Sequence, residues 1–539
     1  MSVRGQSRRS TAFDPATRRL LLLTVLGAGV GLAAGGAAWV LLRLIALISN
    51  LALFHRWGWT VPSFSTLHRS PLIIVAAVLG GLLVSLLALW SPAIRGHGIP
   101  EAMEAVLTKH SRIAPRTAIA KPLSAAISIG TGGPFGAEGP IIVTGGAIGS
   151  LIGQLLPMTA SERKILLASG AAAGMAATFG TPLAAVVLAI ELLLFEFSTR
   201  AFIPLVVASA VAGGVHAALF GDGAFFAVPD HTFAGLATLP AFAVLGLGAG
   251  LLAVVVAEGL FIVEAGFRRL PVGDFWHPVI GAALFASIGL IAPRTLGVGY
   301  DVITDMLSNR LALGTIALLA LVKLVVWWVA LGSGTSGGTL APLLLISAGF
   351  GNLFGAGAEH LFPSIGVSRG AFALVAMAAV FGAATRATFT SIVFVFELTG
   401  DYKAILPLML AAVLADLVAT ALLHDSLMTE KLSRRGLRVH AEYEVDPLRT
   451  VGVRDLRSAH FSDDELVAGS GEGDLVTVRS DDLGIVALQR ILEEDLDHVL
   501  VVDEGHIVGI CTPADILRAR THRLDHERVQ RGWLQRRAR

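Results

Sequence analysis

The stretch GTGGPFGAEGP, Gly130–Pro140, interrupts a long apolar run. It holds five glycines, two prolines and one carboxylate, Glu138, and no further charged residue follows before Glu162. Glycine and proline break regular structure, whereas the apolar residues after Glu138 predict a helix that begins here. A helix start leaves about four backbone N–H groups unpaired and carries roughly half a positive charge. The stretch therefore predicts an interrupted helix whose first turn attracts an anion.

Glu138 is the acid at this predicted helix start. A carboxylate there is itself an anion, so it can occupy the position of a permeating ion and lose that attraction on protonation. An acid within a membrane span is costly and usually functional. The structural alternative is a capping acid or an ion-paired helix contact.

The same pattern recurs in the second half of the chain. GSGTSGGTLAP (Gly332–Pro342) follows the opening stretch at an offset of 202, and MAATFG (Met175–Gly180) recurs as MAAVFG at the same offset. PLAAVVLAIEL (Pro182–Leu192) resembles TFTSIVFVFEL (Thr388–Leu398). Generic membrane composition is the alternative explanation. Repeated halves with broken helices predict a transport site near mid-membrane, where glycine lets an ion approach the backbone.

Composition places the chain in a membrane. It is 54% hydrophobic and 15% charged, and the uncharged run Pro71–Trp90 is long enough to cross ~30 Å of hydrocarbon. The net charge is only +1, so the chain lacks the strong positive charge typical of nucleic-acid-binding proteins. Its single cysteine, Cys511, excludes an internal disulfide. Basic residues flank the first and last apolar runs, so we predict a multi-pass cell-membrane protein with both termini cytoplasmic.

The predicted domains follow the change in composition. Residues 1–17 form a basic N-terminal segment, residues 18–435 a transmembrane domain with repeats at about 71–220 and 275–430, and residues 436–539 a soluble tail. A phosphate loop, a Cys/His metal cluster and a nucleophile–base pair of recognisable spacing are not found, so we predict neither an enzyme nor a metal site.

A third glycine–proline break is GHGIPEAMEAV, Gly96–Val106. Pro100 suits the first turn of a helix. His97 is a candidate donor to an anion, or a group that titrates near neutral pH. The equally weighted alternative is a histidine satisfied by nearby backbone.

Together these motifs resemble those of the CLC family of chloride channels and chloride/proton exchangers. GHGIPE is similar to the family's GSGIPE, GAEGP to GREGP and GGTLAP to GxFxP, and the segment from Gly400 to Gly436 is similar to its closing helices. The resemblance implies an all-α polytopic fold of two inverted repeats of tilted and broken helices. It also implies a homodimer in the lipid bilayer with one anion pathway per subunit, and it identifies Glu138 with the family's gating glutamate.

The resemblance also assigns the anion site. The predicted anion-binding residues are His97, Gly98, Ile99, Gly136, Gly139, Leu340, Ala341 and Met428. Three of them depart from the family: His97 replaces a serine, Met428 the central tyrosine, and Leu340 a phenylalanine. Methionine cannot donate a hydrogen bond, so the preference for chloride over other small anions is left open.

A further departure concerns protons. Exchangers of the family typically carry a proton-transfer glutamate directly after the position of Glu191, although some lack it; here the residue is Leu192, a lost relay position. We therefore predict passive or weakly proton-coupled, channel-like transport of chloride or a similar anion, with a strict anion/proton antiporter as the alternative. Glu191 and its repeat mate Glu397 are expected to be structural, and Lys121 to lie beside the pathway or pair with an acid or carbonyl.

The tail resembles one CBS motif at about 476–520, within a strand–helix–strand–strand–helix pattern. Thr512 and Asp515 occupy the positions that hold a nucleotide in nucleotide-binding members, which suggests an adenine nucleotide as the one candidate cofactor. A dimerising tail without ligand is the alternative for this segment. For the whole chain, the alternative from another class is a membrane-anchored nucleotide-sensing CBS protein.

Overall fold

The structure is a computed structural model. It describes residues 15–195, 197–226, 231–233, 235–364, 366–437, 453–456, 476–482, 484–494, 496–503 and 506–518. The chain divides into two compact units, Met1–Ala441 and Glu442–Arg539. The division falls a few residues after the predicted domain border at 435, and most of the predicted segment 1–17 lies outside the described residues.

In the described residues of the first unit, the regular elements are helices joined by loops. In chain order its helices are α1 (Pro15–Phe54), α2 (Leu72–Trp90), α3 (Ile99–Thr108), α4 (Pro115–Gly130), α5 (Glu138–Leu155), α6 (Ala160–Phe179), α7 (Pro182–Ala189), α8 (Thr199–Phe220), α9 (Leu239–Arg268), α10 (His277–Gly289), α11 (Tyr300–Leu307), α12 (Leu313–Gly332), α13 (Leu340–Leu361), α14 (Arg369–Thr385), α15 (Thr388–Thr399), α16 (Ile405–Leu422) and α17 (Glu430–Ser433). A π-helical turn, Ile190–Leu194, continues α7.

Within the described residues, seven helical segments are long and apolar enough to cross a membrane. They are Thr17–Phe54, Leu72–Trp90, Thr199–Phe220, Leu236–Arg268, Leu313–Gly332, Leu340–Leu361 and Tyr402–Leu422. Other helices, such as α3 and α11, are too short to span ~30 Å at 1.5 Å per residue. Broken backbone of this kind is stable at membrane depth only when protein or a watery cavity surrounds it.

The helices form two halves with the same packing. Helix α5 packs on α6 as α13 packs on α14, and α6 packs on α8 as α14 packs on α16. Helix α1 lies against α6 and α8, and α9 lies against α14 and α16 in the same way. Each half therefore begins one helix earlier than the predicted repeats. The sequence motifs did not show this, because the similarity of α1 and α9 lies in their packing partners.

Two acids show how the halves are related. Glu397, near the end of α15, accepts from the backbone N–H groups of Leu183 (3.1 Å) and Ala184 (2.6 Å) at the start of α7. Glu191, in the turn that ends α7, accepts from those of Phe389 (3.2 Å) and Thr390 (2.9 Å) at the start of α15. The end of each helix thus meets the start of the other, so α7 and α15 run antiparallel. This is the arrangement expected of inverted repeats, and the predicted fold class is confirmed.

The second unit contains a small α/β fold. Its elements are α18 (Val453–Leu456), β1 (Thr477–Arg479), α19 (Gly484–Glu493), β2 (Val499–Asp503) and β3 (His506–Cys511), followed by helical residues 513–518. Strand β2 lies between β1, to which it is parallel, and β3, to which it is antiparallel. The predicted strand–helix–strand–strand–helix order is confirmed.

Cys511 lies at the end of β3 in the apolar core of this unit, together with Val478, Ala487 and Val499. Burial raises the pKa of its thiol to about 12, and the nearby Asp515 carboxylate adds to the rise. The thiol is therefore protonated at neutral pH and unreactive.

Candidate anion-binding site

The starts of α5 and α13 meet head to head. The N–H of Gly136 donates to the carbonyl of Gly338 (3.2 Å), and the N–H of Gly338 donates to the carbonyl of Gly136 (2.8 Å). These glycines are repeat mates at the offset of 202 found in the sequence. A Cβ on Gly338 would lie 2.6 Å from the Gly136 carbonyl oxygen, so only glycine permits the approach. The two predicted anion-attracting helix starts are therefore adjacent.

The start of α3 joins them. Gly98 has φ +103°, and a Cβ there would lie 2.5 Å from the carbonyl oxygen of Gly139. Gly139 is packed so closely against the carbonyl of His97 that a side chain would overlap it. The structure thus brings together the predicted residues of all three helix starts, which are Gly98, Ile99, Gly136, Gly139, Leu340 and Ala341. Their buried positions keep the first-turn amides away from water.

Glu138 lies at the meeting point of α5 and α13. Its side chain is buried, with the residue only 1% exposed. The hydroxyl of Tyr300 donates to Oε1 at 2.6 Å, while Oε2 has no hydrogen-bond partner among the described residues. Oε2 lies beside the paired glycines of both helix starts: a Cβ on Gly136 would overlap it, and a Cβ on Gly338 would lie 2.7 Å from it. It therefore takes the place at the helix starts where a free anion would be held.

His97 lies in the loop before α3, and it is buried. Its ring interacts with the backbone of Leu427, while Nδ1 has no hydrogen-bond partner among the described residues. Met428 is the next residue and is fully buried, with its N–H donating to the Ser426 hydroxyl at 3.2 Å. The structure therefore brings His97 to the segment that contains Met428. The ring lies against the backbone near Leu427, as the alternative of a histidine satisfied by backbone expected, and Nδ1 is left without a partner among the described residues.

Lys121, on α4, is fully buried and bonds to carbonyls. Its Nζ donates to the carbonyls of Ile94 (2.7 Å) and Gly96 (2.8 Å), in the loop that leads into α3. Glu101 caps the same helix by accepting from the Gly98 N–H at 2.8 Å. Lys121 therefore holds the backbone of the His97 loop, as the carbonyl alternative predicted.

Sequence reasoning missed a second buried lysine, Lys323 on α12. Its Nζ donates to the carbonyls of Thr295 (3.0 Å), Gly297 (2.7 Å) and Val298 (3.3 Å), in the loop that leads into α11. It is the repeat mate of Lys121, because 121 and 323 differ by 202. Extending the known offset to Lys121 would have found it.

Tyr300, the first residue of α11, was also missed. It follows Gly299 (φ +88°), and the segment GVGY (Gly297–Tyr300) matches GHGI (Gly96–Ile99) at an offset of 201. Its ring packs edge-on against Phe225, at 5.0 Å between centroids, and against Phe226 and Phe179 at about 6 Å. The repeated glycine pair was the available signal, but the chemistry of its fourth residue differs between the halves.

The remaining predicted positions lie outside this cluster of helix starts. Leu192 is buried in the π-helical turn after α7 and offers no group that transfers a proton. In the tail, Thr512 Oγ1 donates to Asp515 Oδ2 at 2.6 Å, and the Asp515 N–H donates back to Thr512 Oγ1 at 3.3 Å. This pairing caps the following helix. Nucleotide binding by these two residues remains a prediction.

The apolar helices and the converging helix starts are those of a multi-pass membrane protein with a candidate anion site. The family model "Voltage gated chloride channel" matches residues 79–420, and that of the CBS domain matches residues 472–522. The chain therefore belongs to the CLC family of anion channels and transporters, with a C-terminal CBS domain, and is a multi-pass membrane protein.

Several relatives are exchangers by name. The H(+)/Cl(-) exchange transporter ClcA of Vibrio campbellii is 31% identical over 68% of this chain and 83% of its own length. The protein of the same name from Yersinia pestis is 30% identical over 74% of this chain and 84% of its own length. These names favour the antiporter alternative over the channel-like prediction.

Solved structures agree on the fold. A slow cyanobacterial Cl-/H+ antiporter superposes with a TM-score of 0.67 at 26% identity, over 79% of this chain and 99% of that one. A eukaryotic CLC transporter superposes with a TM-score of 0.62 at 21% identity, over 93% of this chain and 98% of that one.

Proposed function

We propose that this protein exchanges chloride, or a similar small anion, for protons, and that Glu138 is both the gate and the proton carrier. The observation that carries the proposal is the position of the Glu138 carboxylate. It lies where the starts of α5 and α13 meet, with Oε2 beside the paired glycines Gly136 and Gly338. The exchanger names of the relatives and the 26% identical antiporter structure support the same conclusion.

The geometry provides a competition between the carboxylate and the anion. The ionised carboxylate occupies the amides of the helix starts, so an anion cannot bind there at the same time. Protonation removes the negative charge and its attraction to these amides. The side chain can then leave and an anion can take its place, so each proton that arrives admits an anion. Because the amides are dipoles rather than a fixed cation, the anion is also able to leave.

From Glu138 the proton cannot continue through a carboxylate at position 192. Leu192 supplies no carboxylate at the relay position, so we propose that water in the pathway carries the proton to the opposite side. Proton transfer through such transient water is slower than through a fixed acid. We therefore expect exchange with a low turnover rather than free conduction.

The remaining parts of the proposal concern assembly and the tail. We propose a homodimer in the lipid bilayer with both termini on the cytoplasmic side, as the family resemblance implies. A mass near twice 56.1 kDa in detergent solution, after correction for bound detergent, tests the dimer. An adenine nucleotide at Thr512 and Asp515 is the proposed tail ligand, tested by calorimetric titration with ATP.

The decisive experiment records chloride and proton flux together in liposomes under an imposed chloride gradient. We expect chloride leaving the vesicles to drive protons in the opposite direction, against their own gradient. The Glu138→Gln variant cannot exchange a proton, so it is expected to carry chloride without proton movement and without dependence on pH. Chloride flux with no proton movement in the wild-type protein would instead establish a channel.

Glu258→Gln is the matched control, because Glu258 is an exposed acid on the membrane-spanning helix α9. It is expected to behave as wild type. Unchanged proton coupling in Glu138→Gln would show that another group carries the proton.

A further inference from the structure

Tyr300 is the only side chain among the described residues that hydrogen-bonds the Glu138 carboxylate. Its hydroxyl donates to Oε1 at 2.6 Å, a length typical of a strong, charge-assisted bond. The phenol comes from α11, in the second half of the chain, and the carboxylate from α5, in the first half. This contact therefore joins the halves at the anion position.

The phenol is fixed from two directions. Lys323 donates to the carbonyls of Gly297 and Val298, so the loop before Tyr300 is fastened to α12. The ring packs against Phe225 and Phe226, and the N–H of Phe226 donates to the carbonyl of Leu398 on α15 at 2.9 Å. A donor held this firmly can orient a mobile partner.

Few charged side chains surround the Tyr300–Glu138 pair in the described part of the chain. In the described part of the chain, the charged or titratable side chains that act on Glu138 are Tyr300 from α11 and Lys323 from α12. Asp301, also on α11, acts on Lys323 in turn. Lys323 is committed to three carbonyls, so the phenol is the group that contacts the carboxylate directly.

We propose that Tyr300 is a positioning residue that latches the ionised Glu138 carboxylate over the anion-binding amides, an inference that rests on the proposed function. The phenol donates to one carboxylate oxygen and leaves the other facing the helix starts. A hydrogen bond to an ionised group is stronger than one to a neutral group, so the latch favours the closed, ionised gate. Protonation weakens the latch and releases the side chain.

The test is the pH profile of chloride flux in liposomes. Tyr300→Phe keeps the ring and its packing but removes the donor, so the ionised gate loses stabilisation. We expect the pH of half-maximal flux to rise by about one unit, and flux above that midpoint to rise up to about tenfold. Tyr402→Phe, at an exposed tyrosine, is the matched control and is expected to leave the profile unchanged.

A double variant separates positioning from mere structural support. If Tyr300 acts through Glu138, adding Tyr300→Phe to Glu138→Gln should change neither the flux nor its flat pH profile. A Tyr300→Phe midpoint equal to that of wild type, or an equal change of flux in the Glu138→Gln background, would overturn the inference. If Glu138→Gln alone keeps its pH dependence, the proposed function fails; if only Tyr300→Phe is silent, the latch fails and the proposed function stands.

A second variant covers a failure of Tyr300→Phe to fold. Fluorotyrosine, incorporated with Tyr402→Phe and Tyr443→Phe so that only position 300 carries it, keeps the ring shape and makes the phenol a stronger donor. The midpoint is then expected to fall relative to the same background with ordinary tyrosine. An unchanged or raised midpoint would contradict the latch.

Discussion

The first half of the membrane unit, α1–α8, and the second half, α9–α16, use the same scaffold for different chemistry. Some residues are identical in both halves and make equivalent contacts. These matched pairs are Lys121 with Lys323, Glu191 with Glu397, and Gly136 with Gly338. The lysines hold loop carbonyls, the acids cap helix starts, and the glycines pair with each other. Matched residues therefore build the scaffold.

The residues with candidate functional chemistry are unmatched. The repeat mate of Glu138 is Leu340, that of His97 is Val298, and that of Tyr300 is Ile99. In each pair one half supplies a polar group and the other an apolar one. A symmetric scaffold thus places the helix starts, whereas asymmetric substitutions supply the proposed gate, its proposed latch and the imidazole of His97.

The largest effect is expected at the matched glycines. In Gly338→Ala the added methyl group would lie 2.6 Å from the backbone carbonyl oxygen of Gly136, so the two helix starts cannot meet and transport should be lost. Gly146→Ala is the matched control within the same region, because its nearest neighbour would lie at 3.5 Å. It should transport normally and melt at the same or a slightly higher temperature, because alanine favours helix by about 1 kcal/mol. Normal flux in Gly338→Ala would show that the matched glycines are not needed to build the site.

The buried lysines should have similar effects on stability. Lys121→Met and Lys323→Met each leave two or more buried carbonyls without their donor, at a cost of about 1–3 kcal/mol per group. We expect both to lower the melting temperature in detergent, whereas Lys403→Met, at an exposed lysine, should not. A lower melting temperature in only one of the two variants would show that the two lysines are not equivalent.

The smallest expected effect is a change of anion selectivity in a His97 variant. His97→Val introduces valine, the residue at the repeat-mate position 298 in the second half, and removes the unpartnered Nδ1. We expect the protein to fold and transport, with a changed preference order among chloride, bromide and nitrate in liposome flux. An unchanged order would mean that the imidazole serves only its backbone contact near Leu427.

Much of the fold and part of the site could be predicted from the sequence. Glycine and proline mark the helix starts locally, so the positions of Glu138 and Leu340 at the first turns of α5 and α13 follow from the sequence. The repeat was visible where its residues are identical. The inverted contact of Glu191 with the start of α15 depends on how helices pack, and no local pattern encodes it.

The missed residues show the limit of such reasoning. Lys323 could have been found by applying the repeat offset to Lys121. Tyr300 could not be recognised as a partner of Glu138, because the two lie 162 residues apart and in different halves. The family pattern drew attention to the tyrosine lost at Met428, whereas the phenol that bonds the Glu138 carboxylate comes from α11.

The Glu138 carboxylate is proposed to occupy the anion's own position at the starts of α5 and α13. Anomalous diffraction from crystals of Glu138→Gln soaked in bromide tests it most directly. We expect a bromide peak beside the backbone N–H of Ala341, at the place that the carboxylate holds in the wild-type protein. Bromide bound within the membrane unit only at sites remote from these two helix starts would contradict it.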